Sequence, residues 1–185
     1  MATEIFDNTK AGWKNLIGFL IILKREILKF ENPLLIGDTL PELGATSDDL
    51  KQFASICDNT PAEFNEWITL SNGWYNICFN FSLFSLSEVI RASEAIKFDE
   101  VLEVLLDEEP ELDPSLLFVV GRDPMDGEYL LVSSNPGDPR AYWVGDGDIN
   151  EFPSFIYAFN WIAMLHQVDL EDFKTAGAKP VQSGT

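Results

Sequence analysis

Residues 60–73 read TPAEFNEWITLSNG, and this stretch decides the fold because it specifies one short helix with a marked beginning and end. Thr60 is a good N-cap, and Pro61 suits the first helical position because that position needs no backbone N–H. Glu63 follows Thr60 by three residues, so its side chain can reach back to the Thr60 backbone and complete a capping box. The pattern therefore predicts a helix that begins immediately after Thr60.

The rest of this stretch predicts one buried helix face and a defined stop. Apolar side chains recur at helical spacing, and they are Phe64, Trp67, Ile68 and Leu70. Asn72 and Gly73 supply the left-handed residue at which helices commonly stop. A strand over residues 77–81 is predicted to follow at once. The stretch specifies a fold element and contains no group that does chemistry.

Length and composition favour one folded domain. The chain has 185 residues, of which 46% are hydrophobic, and this is enough to bury a proper core. Its 14 Phe and 5 Trp predict a core rich in aromatic rings. We expect a single domain over residues 1–174, with an N-terminal helix at about 10–30 and a core at about 44–168. Residues 175–185 are small and polar, which predicts a flexible tail.

The charge balance is strongly acidic. The chain carries 31 Asp and Glu against 12 Lys and Arg, which gives a formal net charge of -19. A field of this sign repels the phosphates of nucleic acid and the headgroups of anionic lipids. Nucleic acid and membranes are therefore poor candidate partners, and a basic protein is a better one. The alternative explanation is that the acidity serves solubility alone.

Cysteine usage and the N-terminal sequence bear on the compartment. Cys57 and Cys78 are the only cysteines, and two cysteines make neither a disulfide scaffold nor a zinc site, so both are expected to be buried thiols. The N-terminus has acids where a signal peptide needs bases. The apolar run at residues 16–23 is too short for a bilayer, which takes about 20 residues. We therefore expect a cytoplasmic protein.

Helices and strands are predicted on both sides of residues 60–73. Residues 13–30 have an amphipathic pattern that Ile22 and Lys24 violate. Other helices are predicted to begin at Thr46 and Ser87 and to span residues 154–168. Strands are predicted at residues 116–120, 129–132 and 140–144, with a Pro-Gly turn between the last two. This order predicts an α+β fold, a single domain with a mostly antiparallel meander surrounded by helices.

The most acidic stretch of the chain lies between residues 99 and 113 and contains no base. If residues 98–107 are helical, acidic and apolar side chains fall on opposite faces. The acidic face is then exposed, and we predict that it binds a partner. The residues of this predicted surface are Asp99, Glu100, Glu103, Asp107, Glu108, Glu109, Glu111 and Asp113.

Candidate catalytic groups are few. His166 is the sole histidine, and catalysis there would need a nucleophile or carboxylate from elsewhere in the chain. A position near the C-terminus of a helix explains this histidine better. Asp146, Asp148 and Asn150 match three positions of a calcium loop, but Glu151 occupies the position that requires glycine.

A second group of acids lies in a predicted hairpin. Asp123, Asp126 and Glu128 could cluster around a hard cation, although a Pro/Gly hairpin often recruits acids for turn chemistry alone. The motifs of phosphate loops, serine hydrolases and zinc proteases do not occur in the sequence. No catalytic residue, metal site or cofactor is therefore predicted.

Several short motifs occur in a recognisable order. They are Gly44-Ala45-Thr46, residues 60–73, Phe84-Ser85-Leu86, residues 119–132 and Pro153-Ser154-Phe155. In order and spacing they resemble the Smi1/Knr4 superfamily, also called SUKH, over about residues 10–168. The resemblance implies a non-enzymatic protein. Bacterial members commonly resemble immunity proteins that bind and neutralise a cognate toxin, often a nuclease, and fungal members are regulatory scaffolds.

Three hypotheses for the function follow. The first is an acidic immunity protein that binds and neutralises a basic toxin of a bacterial polymorphic toxin or toxin–antitoxin system. The alternative is a general regulatory protein-interaction module of the Smi1/Knr4 type with no toxin partner. The third is an enzyme or metal protein that uses His166, or the group of Asp123, Asp126 and Glu128.

Overall fold

The fold is described from a computed structural model, which covers residues 5–30, 37–55, 57, 59–97, 102–103, 106, 112–135, 137–145 and 148–176. Within these residues the helices are α1 (Lys10–Ile27), α2 (Ser47–Ala54), α3 (Ala62–Leu70), α4 (Ala92–Ala95) and α5 (Phe155–Thr175). The strands are β1 (Trp74–Cys78), β2 (Phe81–Leu83), β3 (Ile90–Arg91), β4 (Leu117–Asp123), β5 (Glu128–Ser133), β6 (Ala141–Gly145) and β7 (Asp148–Phe152). A short 3-10 helix, Pro114–Leu116, precedes β4.

The strands form one antiparallel sheet, which confirms the predicted α+β class. Six strands follow the order β1-β2-β4-β5-β6-β7, and β3 pairs with β4 beside β2. The predicted meander corresponds to β4, β5 and β6. Strand β7 continues it and was not predicted, because its sequence DINEF is largely polar and exposed at the sheet edge. Asp148 and Asn150, considered above as calcium ligands, lie on this strand.

Helices α1, α3 and α5 cover one face of the sheet and enclose an aromatic core, as the composition predicted. Trp13 on α1 lies fully buried at its centre. Its ring centroid is 5.1 Å from Phe159 on α5 in an edge-to-face arrangement and 5.7 Å from Trp67 on α3. Aromatic pairs of this kind add stability beyond their buried area, so the three helices pack as one layer.

The opposite face of the sheet is also covered. Leu102 and Leu106 are buried there with Ala92 and Ala95 of α4. Along β4, Phe118 and Val120 belong to the first core and Val119 to the second. Because both faces are buried, β4 and β5 read as continuous apolar runs rather than as alternating ones. The sheet therefore lies between two layers.

Helix α3 forms where it was predicted, but its N-terminal cap differs. The N-cap is Pro61, without a side-chain hydrogen bond, and the helix begins at Ala62. Glu63 does not bond to Thr60; it accepts from the Nδ2 of Asn8 at 2.9 Å and from the backbone N–H of Ile156 at 3.1 Å. The predicted capping box is wrong because these tertiary partners take the carboxylate. Thr60 instead bonds to the side chain of Asn65.

The end of α3 also differs from the prediction, because the helix stops before Asn72 and Gly73. The helix stops at Leu70 with Ser71 extended, and Gly73 has the predicted positive φ of 108°.

The predicted strand at residues 77–81 is wrong, since this range contains the turn between β1 and β2. Phe79 turns the chain there with a φ of 47°, a conformation that few residues other than glycine adopt. A non-glycine turn of this kind gives no glycine or proline signal in the sequence.

Three other predicted helices differ from those in the structure. Helix α1 begins at Lys10, where the side chain of Thr9 caps it, and ends at Ile27 rather than at residue 30. The helix predicted from Ser87 is wrong: Glu88 closes a single turn with Ser85, and the chain then extends to pair with β4 as β3. Helix α5 continues to Thr175, seven residues beyond the predicted end. None of the described helices is both long and apolar enough to span a bilayer.

Candidate binding sites

The predicted acidic surface lies only partly within the described residues. Glu103 and Asp113 are described, and both are exposed. The six others are outside the described residues, namely Asp99, Glu100, Asp107, Glu108, Glu109 and Glu111.

The described positions of this stretch show which side faces the protein. Leu102 is fully buried and Leu106 is 3% exposed against the second face of the sheet, while Glu103 points away from that face. This arrangement agrees with the amphipathic pattern of the sequence. The apolar side chains hold the stretch to the sheet, and the carboxylate at position 103 faces solvent.

Asp113 has a structural task at the end of the stretch. Its Oδ1 accepts a hydrogen bond of 2.8 Å from the backbone N–H of Ser115, and it caps the 3-10 helix Pro114–Leu116. Hydrogen bonds from Ser115 lower the pKa of the Asp113 carboxyl. The carboxylate is therefore ionised at neutral pH and held in one orientation.

His166 is a buried structural residue in the middle of α5. The sequence prediction placed it near a helix C-terminus, which is wrong because the helix continues for nine further residues. Its Nε2 lies 2.8 Å from the carbonyl oxygen of Ile77 on β1, and since that oxygen only accepts, Nε2 carries the proton. Burial lowers the pKa of His166 to about 4, so the imidazole is neutral at pH 7. It ties α5 to the sheet.

Lys24 explains one violation of the α1 pattern. This lysine is only 2% exposed, and its ammonium group donates to the Oγ1 of Thr39 at 2.8 Å and to the carbonyl oxygen of Asn76. The ammonium also lies 5.7 Å from the ring centroid of Trp74. Burial lowers its pKa to about 8. The other violating residue, Ile22, is exposed.

A cavity of about 740 Å³ lies between α2, the start of α3 and the turn between β5 and β6. Its described lining contains two carboxylates, Glu63 and Asp138. Glu63 is already bonded to Asn8 and Ile156, and Asp138 pairs with Arg140 at 2.8 Å. Apolar, hydroxyl and amide groups form the rest of the described wall, so this cavity offers little charge to a ligand.

A smaller cavity of about 240 Å³ brings together acids that are distant in sequence. Asp123, Asp126 and Glu128 reach it from the β4–β5 hairpin, and Asp169 reaches it from α5. None of the described residues that line it is basic. The candidate acids of the hairpin therefore share a cavity with a fourth acid that the sequence analysis missed.

The carboxylates of this cavity differ in their surroundings. Asp123 is buried, and its Oδ1 accepts from the backbone N–H groups of Met125 at 2.7 Å and Asp126 at 3.2 Å, which is the turn chemistry considered above. Burial raises the pKa of Asp169, and the charge of Asp172 raises it further. Among the described residues, no group of three or more His, Cys, Asp or Glu is arranged to hold a metal ion.

Aromatic rings form the apolar wall of the same cavity. Trp143 on β6 stacks on Phe81 with ring centroids 4.1 Å apart, and Trp161 on α5 meets Trp143 edge to face at 5.0 Å. Cys78 also lines the cavity. Burial, the larger cause, and the charge of Asp169, the next one, raise the pKa of its thiol to about 12. This thiol is protonated at neutral pH and is therefore no nucleophile.

Sequence reasoning missed Asp169, Trp143 and Trp161 as members of one site. Trp161, Leu165 and Asp169 are spaced by four residues, so a longer predicted last helix would have placed them on one face. No local signal connects that face to β6 or to the β4–β5 hairpin.

Comparison of the sequence with models of protein families gives no match, and comparison with curated proteins gives none either.

Proposed function

We propose that this chain is a non-catalytic protein-binding domain of the Smi1/Knr4 type, and that it acts as an immunity protein which neutralises a basic bacterial toxin. The observation that carries the proposal is the excess of 31 acids over 12 bases on a chain whose described residues form two buried apolar clusters. Such a molecule offers a rigid, negatively charged exterior. A strong field of one sign speeds association with a partner of the opposite charge.

Two of the motifs behind the resemblance support the proposal because they meet in space. Gly44 lies directly against the last turn of α3, where an added Cβ would be 2.1 Å from the carbonyl oxygen of Thr69. The backbone N–H of Ala45 donates to the carbonyl oxygen of Ile68 at 2.9 Å. The backbone N–H of Asn72 donates to the carbonyl oxygen of Leu43 at 3.1 Å. The two motifs thus form one unit that closes the C-terminus of α3.

The surroundings of His166 and Cys78 also favour binding over catalysis. The Nε2–H of His166 is committed to the carbonyl oxygen of Ile77, and the other ring nitrogen, Nδ1, is shielded from solvent, so it does not reach the proton of a substrate. The thiol of Cys78 is held in its protonated form. Both groups contribute to the core that supports the surface.

The proposed docking surface is the acidic stretch at residues 99–113, in which Glu103 is exposed. Its test uses the toxic C-terminal domain of a large secreted protein encoded beside this gene, with association followed by biolayer interferometry between 50 and 300 mM NaCl. We expect tight binding, fast association that slows steeply with salt, and loss of the toxin's activity in the complex. If no such domain binds, or if a bound domain keeps its activity, the immunity function is wrong.

A charge-reversal variant locates the surface. Replacing Glu103, Asp107 and Glu109 by lysine is expected to slow association at least tenfold and to flatten its salt dependence. The matched control replaces three exposed acids elsewhere by lysine, namely Glu42, Asp48 and Glu171, and changes the net charge equally. Equal slowing in both variants would mean that the acidic stretch is not the docking surface.

A further inference from the structure

The small acidic cavity has two features that the proposed function leaves unexplained. Four carboxylates line it, and its apolar wall is made of stacked aromatic rings. Acids alone would be consistent with a solvated surface. The aromatic wall adds a different property, because the face of a tryptophan ring attracts organic cations.

Unpaired polar atoms provide an independent observation. Trp143 is only 4% exposed, lines the cavity, and its indole Nε1 has no hydrogen-bond partner within the described part of the chain. The Oδ2 of Asp169 is likewise shielded from water and unpaired. A buried polar group without a partner destabilises a fold, and such groups call for an explanation. Both atoms are shielded from solvent, and the residues that carry them line the same cavity.

These observations define the chemistry of a ligand. It must carry a positive charge for the carboxylates, a flat or apolar part for the rings, and an acceptor atom for the indole N–H of Trp143. An arginine residue in a polypeptide has all three, since its guanidinium pairs with carboxylates and stacks on aromatic faces while its backbone carbonyl accepts. A cavity of about 240 Å³ suits one side chain rather than a larger ligand.

We propose that the cavity between the β4–β5 hairpin and α5 receives the side chain of an arginine residue from a partner protein. The inference rests on the proposed function, because it supplies a contact for a basic partner. Side-chain rotamer changes are common on binding, and such changes in Trp161 and Asp169 bring the shielded indole N–H and carboxylate oxygen to the ligand. Arginine is preferred over lysine because an ammonium group does not stack on the rings.

The test uses the isolated full-length chain and small capped amino acids. Nα-acetyl-arginine-methylamide is titrated into ¹⁵N-labelled protein, and the indole Nε1–H resonances are followed and assigned with Trp143→Phe and Trp161→Phe. We expect saturable shifts of these two resonances. Nα-acetyl-citrulline-methylamide has the same shape without the charge, and we expect it to bind at least tenfold more weakly. The lysine analogue is expected to lie between them.

Variants link the response to the cavity. Asp169→Asn and Glu128→Gln, each checked for folding by circular dichroism, are expected to weaken the binding of capped arginine about tenfold. The control Asp48→Asn removes the same charge at an exposed position on α2 and should leave binding unchanged. No saturable shift with capped arginine, equal binding of citrulline, or a response to calcium ions alone would overturn the inference.

The two proposals fail in different ways. If capped arginine binds while the neighbouring toxin does not, the cavity is a binding site and the immunity function is wrong. If the toxin binds equally well to wild type and to Asp169→Asn, the immunity function stands and the cavity has no part in it.

Discussion

Lys24 on α1 donates a hydrogen bond from its ammonium group to the backbone carbonyl of Asn76 on β1. Asn76 has a φ of 49°, and the pairing of β1 with β2 is irregular at this position. A carbonyl displaced from the ladder needs another donor, and the buried lysine supplies it. The contact joins the helical layer to the edge of the sheet, and it places a positive charge where water is scarce.

The first prediction concerns the pH dependence of stability that Lys24 causes. Its pKa is about 8 in the folded chain and about 10.4 when exposed, so the unfolded state binds more protons between these values. Below pH 8 both states are protonated and the full cost of burial is present. As the pH rises from 8 to 10, the free energy of unfolding should therefore rise in wild type relative to Lys24→Met, by about 2 kcal/mol.

Urea denaturation of both proteins at pH 7, 8, 9 and 10 measures this difference. The comparison with Lys24→Met cancels the titration of those shared groups whose pKa Lys24 does not influence. Lys14→Met removes an equal charge from an exposed position of α1 and is the control. A difference that stays constant with pH for Lys24→Met, or one that Lys14→Met reproduces, would contradict the prediction.

The second prediction is that His166 remains neutral throughout the physiological range. Because it is the sole histidine, its ring protons give one set of signals in an NMR spectrum. With a pKa of about 4, these signals should not shift between pH 5 and 8. An inflection near pH 6.5 would show an ordinary, accessible imidazole and would reopen the catalytic hypothesis.

The same residue should lower stability in acid. Unfolding exposes His166, whose pKa then returns to about 6.5, so the unfolded chain takes up a proton that the folded chain does not. The free energy of unfolding therefore falls as the pH drops below 6.5. His166→Gln keeps a donor for the carbonyl of Ile77 and removes the titration. Its free energy of unfolding should fall less than that of wild type between pH 7 and 5, as measured by urea denaturation.

The sequence predicted those features that depend on neighbouring residues. The helix start at Thr46, the burial of both cysteines and the meander are all confirmed. Features that depend on distant partners were not predictable. Glu63 bonds to Asn8 and Ile156 instead of to Thr60. The acidic cavity likewise combines residues between positions 78 and 169. The sequence showed that Lys24 violates the amphipathic pattern of α1, but no residue near it in the sequence indicated that the carbonyl oxygen of Asn76 would bind it.

The third prediction compares two glycines. A Cβ at Gly44 would lie 2.1 Å from the carbonyl oxygen of Thr69, whereas one at Gly18 on α1 would meet nothing within 4 Å. Gly44→Ala must push the chain away from the end of α3 and weaken the hydrogen bond between Ala45 and Ile68, at a cost of about 2–3 kcal/mol. Gly18→Ala should instead stabilise the protein by about 0.5–1 kcal/mol, because alanine favours a helix interior.

Thermal and urea unfolding of the two variants measure these opposite signs. Both substitutions add one methyl group, so the difference between the two free energies of unfolding reflects the surroundings of the two positions. A Gly44→Ala protein as stable as wild type would mean that this close approach of residues 42–45 to α3 is absent.

The last prediction separates the two threonines that the sequence presents as equivalent caps. Thr46 caps α2: its Oγ1 accepts from the backbone N–H of Asp49 at 3.2 Å, and the Asp49 carboxylate accepts from the Thr46 backbone at 2.8 Å. Thr60 stands one residue before the Pro61 cap of α3. Its Oγ1 donates to the Oδ1 of Asn65 at 2.8 Å, and its carbonyl oxygen accepts from the Nδ2 of Asn65 at 3.3 Å. Thr46→Ala should therefore cost about 1 kcal/mol, and Thr60→Ala about half of that or less.

Urea denaturation at pH 7 distinguishes these costs, since the two substitutions remove identical atoms from two partly exposed helix starts. Thr46→Ser keeps an acceptor for the Asp49 N–H and should retain most of the stability that Thr46→Ala loses. If Thr60→Ala were the more damaging change, α3 would begin with the capping box that its sequence suggests. Glu63 would then be unavailable to Asn8 and Ile156, and the contact between the start of α3 and the start of α5 would need another explanation.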